Sequence, residues 1–90
     1  MDKDGAPVVF LVLDVLKPHK PSIVEFGKIL HSKGVSGSSI SVYAVDEKTE
    51  SVKITLDGEG IDFDRIRSLI EDAGAVVHSI DRVVFGKKID

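Results

Sequence analysis

Apolar and polar positions along the chain fall into six segments with two periods. Val8–Val15 (VVFLVLDV) is almost wholly apolar, the pattern of a central strand covered on both faces. Pro7 suits the start of that strand, because proline brings no N–H to a ladder. Ile40, Val42 and Ala44 alternate with Ser41 and Tyr43, and Val52, Ile54 and Leu56 alternate with Lys53 and Thr55. Both read as strands with one buried face. The polar turn Asp46–Glu50 between them is short enough for an antiparallel hairpin. Val76–Phe85 (VVHSIDRVVF) is the last strand.

Between these strands the period changes to that of a helix. Ile23, Phe26, Ile29 and Leu30 form one stripe, opened by Ser22 and Glu25 at capping-box spacing and closed by Gly34. A helix is predicted over 23–33. Phe63, Ile66, Leu69, Ile70 and Ala73 form the second stripe, with Asp62 as N-cap, Ile61 and Ile66 as a hydrophobic staple, and Gly74 as the stop. Leu16–Pro21 holds Pro18 and Pro21 and is predicted to be a stiff loop. Gly37-Ser38-Ser39 is predicted to be a turn, and Asp57-Gly58-Glu59-Gly60 a break.

The order is βαββαβ. Right-handed crossovers and interleaved halves give an antiparallel sheet in the order 4-1-3-2 with both helices on one face. The predicted class is α+β, a ferredoxin-like sandwich. A single domain spans 1–90, with residues 1–6 and 87–90 as loose termini. The face without helices has no cover of its own. Phe10 and Val12 point to that side, and Tyr43 joins them from the second strand. These three are the predicted interface of a homo-oligomer.

Composition narrows the function classes. Twelve Lys plus Arg against fifteen Asp plus Glu give a net charge of −3, against a general affinity for nucleic acid or anionic membrane. There are no cysteines, so disulfides, thiolate metal sites and cysteine nucleophiles are excluded. The longest apolar run, Val8–Leu13, is far shorter than a membrane span. The acidic N-terminus lacks the pattern of a signal peptide, and the expected location is the cytoplasm.

Three stretches carry a family resemblance: LVLDVLKPHKPSIVEF at 11–26, VDEKTESVKIT at 45–55 and IDFDRIRSLIEDAGAVVHSID at 61–81. They resemble the small archaeal family catalogued as domain of unknown function 211. That resemblance implies a ferredoxin-like fold and self-association, with no established activity; some members are labelled transcriptional regulators. The chain departs from the family pattern at Lys20 and Arg82, where acids are usual, at Phe85, where Ala is usual, and at Gly37-Ser38-Ser39.

The predicted topology gathers polar groups at one end of the sandwich: Asp14, Lys17, His19, Lys20, Asp46, Glu47, Glu50 and His78. Antiparallel pairing of the first and last strands places Asp14 within a residue or two of His78. One reading of the cluster is purely structural: strand-end groups satisfying one another. A second is a divalent-cation site in which Asp14, Asp46 and Glu50 offer oxygen to Ca2+ or Mg2+. A third is a small anionic metabolite such as an amino acid, bound by Lys17 and Lys20 near the start of the first helix, with Asp14 and His78 beside it. The function expected from these readings is a non-catalytic oligomeric module for ligand sensing or regulation. The alternatives are a divalent-cation-binding structural protein and an enzyme using an Asp14/His78 acid–base pair.

Overall fold

The computed structural model describes residues 5–87. Its elements are β1 (Val8–Pro18), α1 (Ile23–Ile29), β2 (Val35–Val45), β3 (Thr49–Gly58), α2 (Phe63–Asp72) and β4 (Val76–Phe85). The sheet is antiparallel in the order β2-β3-β1-β4, which is the predicted 4-1-3-2 order read from the other edge. Of the predicted loose termini, residues 1–4 and 88–90 lie outside the described residues.

Alternation along β1 divides its side chains between two environments. Leu11, Leu13 and Val15 enter the core beside Val52, Ile54 and Leu56 of β3. Phe26 and Leu30 from the first helical stripe and Ile66 and Ile70 from the second close over them. Both helices therefore cover the same sheet face. The helix starts follow the predicted capping chemistry. The Ser22 hydroxyl accepts from the Glu25 N–H at 3.3 Å, and the Asp62 carboxylate accepts from the Arg65 N–H at 3.2 Å. At the end of α2, Gly74 takes φ 89°, and the Ala75 N–H returns to the Ile70 carbonyl at 3.1 Å.

Three sequence expectations need correction. β1 runs to Pro18, so Leu16, Lys17 and Pro18 are strand and not loop. The ladder decides this: Leu16, Lys17 and Pro18 face Ser51, Glu50 and Thr49 on β3, and proline at the end removes only one donor. The predicted turn at Gly37-Ser38-Ser39 is also strand, paired to Asp57, Leu56 and Thr55. These weak strand formers sit on the edge strand β2, where hydrogen bonds to β3 outweigh local preference.

The first helix stops at Ile29, before the predicted 33. The chain uses Gly34 in a turn instead, closed by the Val35 N–H on the Ser32 carbonyl at 3.0 Å, with Gly34 at φ 91°. This turn crosses the end of β3 at close range, and the Glu59 N–H donates to the Gly34 carbonyl at 2.8 Å. A Cβ on Gly58 would collide with that same carbonyl oxygen, a backbone atom with no room to retreat.

Gly58→Ala is therefore expected to destabilise by about 1–3 kcal/mol, the usual cost of overpacking. That lowers the melting temperature by roughly 4–8 °C per kcal/mol in a domain of this size. Gly37→Ala, where an added Cβ meets nothing within 4 Å, should leave stability unchanged or raise it. Thermal melts of the two variants check the pair.

Candidate functional site

The polar end predicted from the sequence is split by the sheet. Because β1 continues through Lys17, strand parity sends Asp14 to the open face and Lys17 to the helix face. Each residue then has its own neighbours.

On the helix side, Lys17 is completely buried. An unpaired ammonium there would cost on the order of several kcal/mol, so it must be neutralised and hydrogen-bonded. Its Nζ lies 3.0 Å from Glu50 Oε1 and donates to the Pro18 carbonyl at 2.7 Å. A longer contact reaches the His19 carbonyl at 3.4 Å, and the Phe26 ring centroid is 5.9 Å away. Register fixes the pair, since Lys17 and Glu50 are direct cross-strand partners.

The other oxygen of Glu50 holds His19. Nδ1 of His19 is 3.1 Å from Glu50 Oε2, and Nε2 is 2.9 Å from the Glu47 carbonyl. A carbonyl only accepts, so Nε2 carries a proton; a carboxylate beside Nδ1 calls for a second. His19 is thus held toward the imidazolium, its pKa raised first by the Glu50 hydrogen bond and then by the Glu47 carbonyl. Glu50 is correspondingly lowered, by His19 first and Lys17 second. These contacts anchor the start of the Pro-rich loop to the β2–β3 turn.

On the open side, the Tyr43 hydroxyl sits 2.7 Å and 2.8 Å from the two carboxylate oxygens of Asp14. The bond reaches from β2 across β3 to β1. A bulge makes this possible: Tyr43 is the extra residue between the Val42–Val52 and Ala44–Ser51 pairs. The neighbouring carboxylate raises the phenol pKa, with burial adding to it. A second tie reaches from β3 across β1 to β4, where Lys53 Nζ pairs with the Asp81 carboxylate. Asp81 also accepts from the Ser79 hydroxyl at 2.7 Å. Asp81 is held below the usual carboxylate range, chiefly by Lys53, and Lys53 is raised by Asp81. Arg82 lies over Phe10, its guanidinium carbon 5.3 Å from the ring centroid.

His78 is an exposed extra residue in β4, between the Asp14–Ser79 and Val15–Val77 pairs. It lines a cavity of about 230 Å³ with Asp14, Leu16, Tyr43 and Ser51. Asp14 and His78 therefore share a neighbourhood. The remaining predicted site residues do not join them. Lys17 and Glu50 are on the other face, and Lys20 is exposed in the loop beyond β1. Asp46 is exposed in the β2–β3 turn, where its carboxylate accepts from the Glu47 N–H at 2.9 Å. Asp14, Asp46 and Glu50 are thus dispersed. Among the described residues no group of three or more His, Asp or Glu side chains is gathered as a metal ion requires. Phe10 and Val12 are half-buried on the open face, while Tyr43 is 57% exposed. Sequence reading missed the Tyr43–Asp14 and Lys53–Asp81 ties. The signal was present only as opposite charges and one aromatic on neighbouring strands, and their alignment depends on bulges.

The His19–Glu50 pair has a definite pH signature. His19, with its pKa raised above 6.5, contributes stability that is full below that value and is lost as pH rises through the folded pKa. Glu50, lowered from 4.5, contributes stability that is full above that value and is lost as pH falls through its folded pKa. The pair stabilises most between those two ordinary values. The melting-temperature difference between wild type and His19→Ala should therefore be larger at about pH 5.5 than at about pH 8.5. Melts at the two pH values check this, and an equal difference would contradict the assignment.

Comparison with known proteins bears on this arrangement. The profile of the family described as uncharacterized ArCR, domain of unknown function 211, matches residues 10–90. An uncharacterized protein of Methanocaldococcus jannaschii is 48% identical over 80 residues, covering 88% of this chain and 82% of that protein. The chain belongs to the archaeal family of domain-of-unknown-function-211 proteins.

Proposed function

We propose that this protein is a cytoplasmic, non-catalytic regulatory module that assembles with copies of itself and responds to a small charged metabolite of the amino-acid class. The observation that carries the reading is the apolar surface of β4. Among the described residues this strand pairs with β1 alone, which leaves its other edge open. It carries Val76, Ile80, Val83 and Phe85, each between 40% and 57% exposed. An open edge with exposed apolar side chains on both of its faces invites a second chain, and proteins that stay monomeric blunt such edges with charge or proline. At the opposite edge Tyr43 and Val45 are 57% and 70% exposed. A closed symmetric assembly is the ordinary outcome for such surfaces.

The polar groups support a non-catalytic role. Both oxygens of Asp14 hold the Tyr43 hydroxyl, and the Lys17 ammonium is held by Glu50 and main-chain carbonyls. These groups tie strands together. The second reading, an acid–base enzyme, draws support from the cavity that Asp14 and His78 share. It ranks behind, because a carboxylate engaged through both oxygens is a poor free base. No helix among the described residues is long and apolar enough to cross a membrane.

Light scattering of the wild-type protein at micromolar concentration should return a multiple of the 9.7 kDa chain mass. Ile80→Asp and Phe85→Asp should each shift the population toward the single chain without loss of the circular dichroism of the fold. A wild-type mass of one chain would contradict the assembly.

A further inference from the structure

A second cavity lies at the opposite end of the sandwich from the polar groups discussed above. It opens between the end of α1, the Ser32–Gly34 turn and the first turns of α2, with a volume of about 710 Å³. That is within the range of small-molecule sites. Its lining combines three chemistries. Ile29 and Leu69 supply apolar surface, Lys33 and Arg65 supply cations, and Glu59 supplies an anion.

Three of the charges in this lining, Lys33, Arg65 and Glu59, enter no ion pair among the described residues. Among the described residues the ion pairs are Lys17–Glu50, His19–Glu50 and Lys53–Asp81, none of which involves Lys33, Arg65 or Glu59. Asp62, also at the cavity, already spends a carboxylate oxygen on the Arg65 N–H. The contrast with the other end is direct: there Lys17, His19 and Glu50 neutralise one another, and here Lys33, Arg65 and Glu59 face a common space.

A ligand that matches must carry a negative group, a positive group and an apolar body. A nucleotide fits poorly, because its several negative charges would meet Glu59 and Asp62. A fatty acid leaves Glu59 unmatched. We propose that this cavity binds a zwitterion with an apolar side chain, namely an apolar α-amino acid or a short peptide of such residues. Arg65 and Lys33 hold the carboxylate, Glu59 holds the ammonium, and Ile29 with Leu69 meets the side chain. This rests on the reading of the chain as a metabolite-responsive module and assigns that response to a site. The two sources share one recognition chemistry and differ in the spacing between their charged ends.

The test is titration of the full chain, followed by calorimetry and by amide chemical shifts, with L-leucine and with L-leucyl-L-leucine. The expected result is saturable binding of one of the two, with shifts centred on Lys33, Gly34, Glu59, Gly60 and Arg65. The tighter probe identifies free amino acid or peptide as the source. Arg65→Gln should weaken binding by about tenfold or more, the value of a charge-assisted hydrogen bond. Glu59→Gln should weaken leucine but not 4-methylpentanoate, which lacks the amine. Arg65, Lys33 and Glu59 are exposed, and amide spectra of each variant establish that it folds. Shifts centred on Asp14 and His78, or wild-type affinity in Arg65→Gln, would overturn this site while leaving a metabolite-responsive module in place. No binding of either probe at about 10 mM would overturn the site and the amino-acid part of the proposed function together.

Discussion

The two-residue period of β1 is the constraint on which the rest of the molecule depends. β1 is one of the two central strands, with β3 and β4 as neighbours, and its side chains must serve two environments. Leu11, Leu13 and Val15 fill the core under the helices, while Phe10, Val12, Asp14 and Leu16 face away. The strand does not stop where its apolar run stops. Three more residues join the ladder, and parity carries Lys17 into the core behind Val15. The buried ammonium then dictates its surroundings: Glu50 must stand opposite, and His19 and the Pro18 carbonyl complete the set. A slip of one residue would reverse every one of these assignments.

The open face solves its exposure problem in an unexpected way. Apolar residues on both faces of β1 suggest a broad patch needing another subunit. The structure lays long polar side chains across part of that face. Arg82 covers Phe10, and the Lys53–Asp81 and Tyr43–Asp14 ties each span one intervening strand. Such residues bury their stems and keep their polar ends wet. Phe10 and Val12 are half-buried as a result. The exposed apolar surface moves outward to the strands at the two edges, chiefly β4.

Much of this was legible in the residues. The caps at Ser22 and Asp62, the stop at Gly74, the two helical stripes and the strand order all follow from patterns spanning a few positions. The candidate site was half legible. Asp14 and His78 do come to one cavity, as strand pairing requires. Pro18 and Pro21 mark Leu16–Pro21 as loop in the sequence, but a proline at a strand end gives the same local signal as one in a loop, and Lys17 is strand. Tyr43, His78 and Asp81 each occupy a bulge. A single inserted residue leaves no trace in an alternation that is already imperfect, yet it decides which face a side chain joins. The charge pairs across the sheet depend on that decision.

The central claim is that the polar groups of one end form two independent ties on opposite faces of the sheet. A double-mutant cycle on stability, with Asp14→Asn and Glu50→Gln, tests it most directly. The two effects should add within experimental error, because the groups share no partner. The same cycle on Asp14→Asn and Tyr43→Phe should show strong coupling. Strong coupling between Asp14 and Glu50 would mean that they belong to one cluster, and would contradict the division of the site.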